Sequence, residues 1–315
     1  MSCQYLLDRQ EAFPARRREA ESRVRRRLQG LLAQEIGGVA VPFGSRIPVA
    51  LLFPNDYAIG MANLGVHWVW RTVNSRPEFA CERVFLDALP ALSVENQRPL
   101  NEFPLILVSC AFELDYWNIA RALLAAGIPL RAREREEARG PVVVIGGLCT
   151  SVNRLPLLEF ADAFAIGEGE ITLPRLLDAW LESDGVREGF LDRIEGQPGF
   201  EIPPRLTEAE RTRLVPDVER PAPADISASD CSTQILSPHA EFPNRALIEI
   251  SRGCPYKCQF CYVGHRMRPY RNRDLDQIWR AVDRWRGHTN LFGFVSSAVA
   301  SHWQIDDLCR RCLDE

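Results

Sequence analysis

The stretch VVVIGGLCTSVNRLPLLEFADAFAIGEGE, from Val142 to Glu170, decides how this chain folds. A β-branched run ends in paired glycines, Gly146 and Gly147. An apolar helical pattern follows around Leu155 to Phe160, and a second strand-like run, Ala163 to Ile166, ends again in glycines, Gly167 and Gly169. Strand, glycine turn, helix and strand in that order describe a parallel βαβ unit. Uninterrupted apolar runs suit strands covered on both faces. Working backwards, the same alternation predicts strands at Pro48 to Phe53, Cys81 to Phe85 and Leu105 to Ser109, with helices at Asn63 to Asn74 and Asp115 to Ala126. The expected fold is α/β, a doubly wound parallel sheet whose ligand site lies at the carboxyl ends of its strands.

Composition sets outer bounds. At 315 residues, 46% hydrophobic and 25% charged, the chain can bury a core and is neither collagen-like, disordered nor a small disulfide scaffold. A net charge of −4 gives no global field favouring a nucleic-acid backbone. The N-terminus mixes acids with arginines and lacks an apolar core, and no run approaches the roughly 18 apolar residues of a membrane helix. These features predict a cytoplasmic protein without membrane contact, whose ten cysteines serve as ligands or core residues. Val24, Leu28, Leu31 and Leu32 recur at helical spacing within Arg16 to Glu35, marking an amphipathic helix that ends at Gly37-Gly38. Residues 196–244, rich in proline, acids and serine, read as an extended linker with little regular structure. The expected divisions are a helical segment 1–46, an α/β domain 47–195, the linker 196–244 and a second domain 245–315.

The second domain begins with a strand, ALIEIS, from Ala246. Asp274 to Arg286 reads as a helix with a capping box (Asp274, Gln277) and a buried stripe of Leu275, Ile278, Trp279 and Val282. A strand at Leu291 to Val295 and a helix at Gln304 to Leu313 follow. Trp279 and Trp285 are expected in helix packing. Between them and the first strand lies RGCPYKCQFCY, Arg252 to Tyr262, which spaces Cys254, Cys258 and Cys261 as CxxxCxxC. Three thiolates on one short loop select a soft metal centre. A cubane iron–sulfur cluster with three protein ligands keeps one iron open for chemistry. The competing reading is zinc, with a fourth ligand from His265 or from Cys309 and Cys312. The spacing of those two cysteines with Ile305, Leu308 and Leu313 places them on the buried face of a helix instead.

This loop, directly after a strand and with Phe260 before the third cysteine, resembles the radical S-adenosylmethionine (SAM) enzymes. The resemblance implies a 4Fe-4S cluster on Cys254, Cys258 and Cys261 that chelates SAM, and reductive cleavage of SAM to a 5′-deoxyadenosyl radical. From Ile47 onward the chain is similar to the subfamily that joins a cobalamin-binding domain to a radical SAM domain. That implies a Rossmann-like, cobalamin-binding-type sheet followed by the beginning of a radical SAM (β/α) partial barrel. In such domains a Ser after one strand and a Gly-Gly after a later one cradle the nucleotide tail, positions matched by Ser109 and Gly146-Gly147. The DxHxxG loop that supplies a cobalt-ligating His is replaced by Asn55-Asp56-Tyr57-Ala58-Ile59-Gly60. His67, with Leu64 and Trp68 on a helix, is expected to be packed. Ser296 and Ser297 stand where the family places a Gly-Gly-Glu-like turn that holds the SAM amino group.

Glu168 and Glu170 are expected either to contact cobalamin or the second domain, or to lie in a solvated turn. Arg266, Arg268, Arg271 and Arg273 make the loop after the cysteines basic; steering of an anionic partner or contact with SAM is weighed against a solvated loop or an inter-domain contact, and the latter two are expected. Three functions are weighed: cobalamin-dependent radical SAM methyl transfer or a related rearrangement; methylthiolation without cobalamin, for which Cys81, Cys110 and Cys149 are dispersed candidates for a second cluster; and a non-catalytic or incomplete module. The last rests on length, because the roughly 70 residues from Arg245 to Glu315 hold two units of a barrel that uses roughly 30 residues each. The chain alone is therefore expected to turn over little or no substrate, with a second chain as one way to complete the barrel. A reductant such as flavodoxin or ferredoxin is the expected partner. No catalytic side chain and no substrate is legible.

Overall fold

The computed structural model describes residues 14–38, 44–87, 89–213 and 218–314. Strands β1 (Ile47–Leu52), β2 (Phe79–Val84), β3 (Leu105–Ser109), β4 (Val142–Gly146) and β5 (Ala163–Ala165) run parallel in the order β2-β1-β3-β4-β5, and β6 (Phe200–Glu201) adds an antiparallel edge. The direction of winding changes between β1 and β3, which makes the carboxyl ends there the natural crevice. All five expected strands are present. β2 starts earlier than expected, because Phe79 and Ala80 are as buried as the rest.

Along β1 and β3 alternate side chains serve opposite faces. Val49, Leu51, Leu105 and Leu107 pack with helices α1 (Pro14–Leu32) and α2 (Leu64–Asn74), whereas Ala50, Leu52, Ile106 and Val108 pack with α3 (Tyr116–Ala125). Past α4 (Ala132–Glu137), a five-residue helix α5 (Leu148–Val152) follows Gly147 directly. The helix expected around Leu155 to Phe160 is only a 3₁₀ turn, Leu155–Leu157, with Pro156 in its first turn. Arg154, just before this turn, is held in a buried pair with Glu201. Helices α6 (Gly169–Glu182) and α7 (Arg187–Ile194) complete the first face.

The amphipathic α1 docks through Val24, Leu28 and Leu31. Just beyond it, Glu35 enters the core and meets Arg83 of β2 at 2.7 Å, while Glu95 holds the same guanidinium at 2.7 Å from the other side. The Tyr57 hydroxyl donates to Glu35 at 2.6 Å and the Trp70 indole to Glu95 at 3.1 Å. Burial opposes charge on Arg83, but Glu95 and Glu35 outweigh it and hold the guanidinium charged. All three side chains are 3% exposed or less, so none of these charges is solvated.

The second region holds β7 (Ala246–Glu249) and β10 (Phe292–Val295), parallel and linked through helix α9 (Leu275–Trp285), as expected for the start of a (β/α) barrel. A small antiparallel pair, β8 (Ser251–Arg252) and β9 (Arg271–Asn272), flanks helix α8 (Tyr262–Arg266). The other edge of β7 is taken by the preceding segment: Thr233 N–H donates to Leu247 O at 2.8 Å and Glu249 N–H to Cys231 O at 3.0 Å. Of the expected stripe Ile278, Trp279 and Val282 are buried and Leu275 only partly so, and Trp285 is buried on the same helix. The expected capping box does not form. Asp274 makes no capping bond, Gln277 Oε1 is buried without a partner, and Gln304 from a distant turn accepts the Leu275 N–H at 3.2 Å.

Helix α10 (Ile305–Asp314) departs further from expectation: Cys309, Cys312 and Leu313 are exposed and only Leu308 is buried. The guanidinium of Arg311 lies 4.4 Å from the Trp279 ring centre, so the helix turns the 305, 308 and 311 side inward rather than its cysteines. Among the described residues no helix is long and apolar enough to cross a membrane.

Candidate functional site

At the carboxyl ends of β3 and β4, Ser109 and Gly146 sit opposite one another in register. Cys110 N–H continues the ladder to Gly146 O at 2.9 Å. The two glycines answer different demands. Gly147 has φ +97°, and a Cβ there would lie 2.4 Å from the Cys110 carbonyl oxygen, so the backbone itself requires glycine. A Cβ on Gly146 would meet nothing closer than 3.5 Å, and what its missing side chain leaves is room. Ser109, Gly146 and Gly147 do come together, in the wall of one cleft of about 350 Å³. Its apolar side reaches between the sheet and helices α2 and α6 through Trp68 and Leu176, and its far wall includes Arg252 and Met267.

Arg252 and Met267 bracket the cysteine loop. Gly253 has φ +79°, and a Cβ there would fall 2.2 Å from Met267 O, so the chain entering the loop lies against the chain leaving it. A Cβ on Gly264 would fall 2.1 Å from Tyr256 O, which presses α8 onto the loop in the same way. Cys258 O accepts from Cys261 N–H at 3.0 Å and from His265 Nε2 at 3.0 Å. Cys254 is buried, Cys261 half-buried and Cys258 exposed, all three free of disulfides. This donor set, three thiols on one clamped loop, fits the chemistry of an iron–sulfur cluster. The sulfurs are not gathered at one point, for among the described residues no three His, Cys, Asp or Glu side chains converge as a metal site.

Between loop and cleft runs a belt of ion pairs that resolves two open expectations. Arg252 Nη1 is 2.7 Å from both Glu168 and Glu170, and its Nε and Nη2 hold Glu249 at 2.8 and 2.9 Å. Arg271 also pairs with Glu168, and Arg273 with Glu249 at 2.6 Å. Glu168 and Glu170 are thus contacts to the second region, with Arg252 and Arg271 as their buried counterparts, whereas Arg273 pairs with Glu249 inside that region. Burial works against charge on Glu170, but Arg252 and the Ser229 hydroxyl prevail and hold its carboxyl below the ordinary range. Tyr262 adds a further tie, donating to Ser151 O at 2.9 Å.

Ser296 and Ser297 follow β10 and lie outside this cleft wall. Ser296 Oγ shares a hydrogen bond of 2.6 Å with Ser251 and accepts Ala298 N–H at 3.0 Å, while Ser297 is exposed. His67 is packed as expected: Nε2–H donates to Met61 O at 3.0 Å and Nδ1 accepts Gln234 N–H at 3.3 Å. Burial lowers its pKa to about 4. Tyr57, which stands where the cobalt-ligating His would be, is buried and bonded to Glu35 and Ser237.

Of the dispersed cysteines, two are in fact neighbours. Cys149 N–H donates to Cys110 O at 3.3 Å, and the adjacent Cys149 side chain together with burial pushes the Cys110 pKa up, while Cys81 lies on β2, beyond β1. Sequence reasoning missed Arg252 and Glu249 because both sit in short β segments where a charge reads as a solvent-facing residue. The signal available was the position of Arg252 beside Gly253.

Residues 65–203 match the N-terminal domain of radical SAM proteins, and residues 248–315 match the radical SAM superfamily. An uncharacterized protein of Methanocaldococcus jannaschii is 23% identical over 266 residues, which cover 83% of this chain and 51% of that protein. The chain therefore spans about half the length of this curated relative. A solved structure of the radical SAM methyltransferase TsrM from Kitasatospora setae, with tryptophan substrate and the SAM analog aza-SAM bound, is similar with a TM-score of 0.49 and 15% identity. The match covers 84% of this chain and 50% of that one.

Proposed function

This chain belongs to the radical SAM superfamily, and from that premise we propose that it serves corrinoid-assisted radical chemistry, with methyl transfer or a related rearrangement as the reaction class. In this reading Cys254, Cys258 and Cys261 hold a 4Fe-4S cluster. When bound, the cluster supplies the electron that cleaves SAM. The observation that carries the reading is the shared wall of one cleft: Ser109, Gly146 and Gly147 on the sheet side, Arg252 and Met267 on the cysteine-loop side.

The residues divide the work. Gly146 leaves space for a nucleotide tail, Ser109 offers it a hydroxyl, and the apolar wall at Trp68 and Leu176 excludes water. Ser296 braces β10 against β8 through Ser251, and the exposed Ser297 is assigned to the SAM amino group. Tyr57 and both ring nitrogens of His67 are already engaged, so the corrinoid takes no ligand from them. The reading includes a one-electron donor of the flavodoxin or ferredoxin class, a reducing cytoplasmic setting suited to ten cysteines, and further barrel units supplied from outside this segment or by a second chain. Methylthiolation is disfavoured because Cys81 does not join Cys110 and Cys149.

Anaerobic reconstitution of the chain tests the proposal, with about four irons per chain and SAM-dependent EPR changes expected. Stoichiometric zinc uptake with no response to SAM would overturn it. Failure to retain hydroxocobalamin on gel filtration would remove the corrinoid half alone.

A further inference from the structure

Arg252 stands two residues before Cys254, and its guanidinium is committed to three carboxylates from two parts of the molecule. Nε and Nη2 grip Glu249 on β7 at 2.8 and 2.9 Å, and Nη1 reaches Glu168 and Glu170 at 2.7 Å each, across the cleft boundary. The side chain is 11% exposed, so these bonds are shielded from solvent. Only the planar fork of arginine serves partners in these directions at once; a lysine ammonium cannot. Glu168 and Glu249 are in turn held by Arg271 and Arg273, so neither carboxylate can follow Arg252 if it moves. Beyond Arg252 the chain has little slack, because Gly253 is pressed against Met267.

We propose that Arg252 is a positioning residue: through Glu168 and Glu170 it fixes the cysteine loop to the cleft, so that a ligand in the cleft is felt at Cys254. Glu168 and Glu170 line the cleft themselves, so a ligand there meets the carboxylates that hold the loop. Coupling of this kind is reciprocal. The proposal rests on the reading that the loop carries the cluster.

Two variants, Arg252→Lys and Glu168→Gln, test it in the full chain. In the cluster-free protein, iodoacetamide labelling followed by peptide mass spectrometry should modify Cys254 about fivefold faster in either variant, while buried Cys110 and Cys149 stay protected as in the parent. Hydroxocobalamin should slow Cys254 labelling in the parent and lose that effect in Glu168→Gln. After reconstitution, Arg252→Lys should keep its iron but need about tenfold more SAM to change the EPR spectrum of the reduced cluster. Unchanged Cys254 labelling and SAM response in both variants overturns the proposal, as does loss of Cys110 and Cys149 protection in parallel with Cys254. A parent chain that takes up no iron defeats the cluster reading itself, whereas iron uptake with unaltered variants defeats only the positioning role.

Discussion

The two halves of this molecule hold their strands in opposite ways. In the first sheet, Val49 to Leu52 and Leu105 to Val108 are buried on both faces under helices. In the second, β10 is only partly covered, Val295 is 40% exposed, and α10 contributes a single buried residue. Burial on two faces makes order a property of the sheet itself. One-sided packing makes it conditional on neighbours, here the ion-pair belt and the strand-like segment at Cys231 to Thr233 that completes β7.

The sharpest way to break this contrast is within the sheet's own charged centre. Arg83→Met should leave Glu35 and Glu95 buried without their cation and cost about 4 kcal/mol, read as a lowered urea midpoint; a loss under about 1 kcal/mol would mean that region is not dry. His67 comes next. Its pKa of about 4 in the fold lies below the unfolded value of 6.5, so the neutral form favours folding. Its contribution is complete above about pH 6.5 and is lost as pH falls toward 4, amounting to about 3 kcal/mol. A ¹⁵N-detected titration of His67 near pH 6.5 would refute that.

Gly147→Ala should cost about 2 kcal/mol from backbone strain and the Cys110 contact, and thermal unfolding would register it. Gly146→Ala, with no such contact, should leave stability nearly unchanged while weakening hydroxocobalamin retention, which separates the two roles of one dipeptide. The smallest effect belongs to the second region: Cys309→Ser with Cys312→Ser should change stability by less than about 0.5 kcal/mol, because both side chains face solvent. A larger loss would show that α10 is covered in solution.

The same contrast explains what could be read in advance. LILVS and VVVI announce themselves because strands covered on both sides need no polar face. β2 was legible from Cys81 onward but not its first two residues, Phe79 and Ala80, and the partners that let Glu82 and Arg83 be buried within it, Ser93, Glu95 and Glu35, are named by no local pattern. The cysteine spacing identified the loop, and Ser109 with Gly146-Gly147 identified the sheet side of the cleft. What joins them was hidden: Glu168 and Arg252 are 84 residues apart, and no local pattern pairs them. Periodicity likewise located α10 but not its rotation, which Arg311 on Trp279 sets. The capping residue of α9 came from Gln304, outside any window that a local capping rule inspects.

The segment at Cys231 to Thr233 has a practical meaning for anyone who wishes to study the cluster-bearing half by itself. Although it precedes β7 by more than a dozen residues, it is hydrogen-bonded to it as a neighbouring strand, with Ser232 opposite Ile248. A fragment started at Ala246 would bare that edge and invite sheet-to-sheet aggregation. One started before Asp230 would carry its own cover, and its solubility would rest on three residues that lie outside β7 in the sequence.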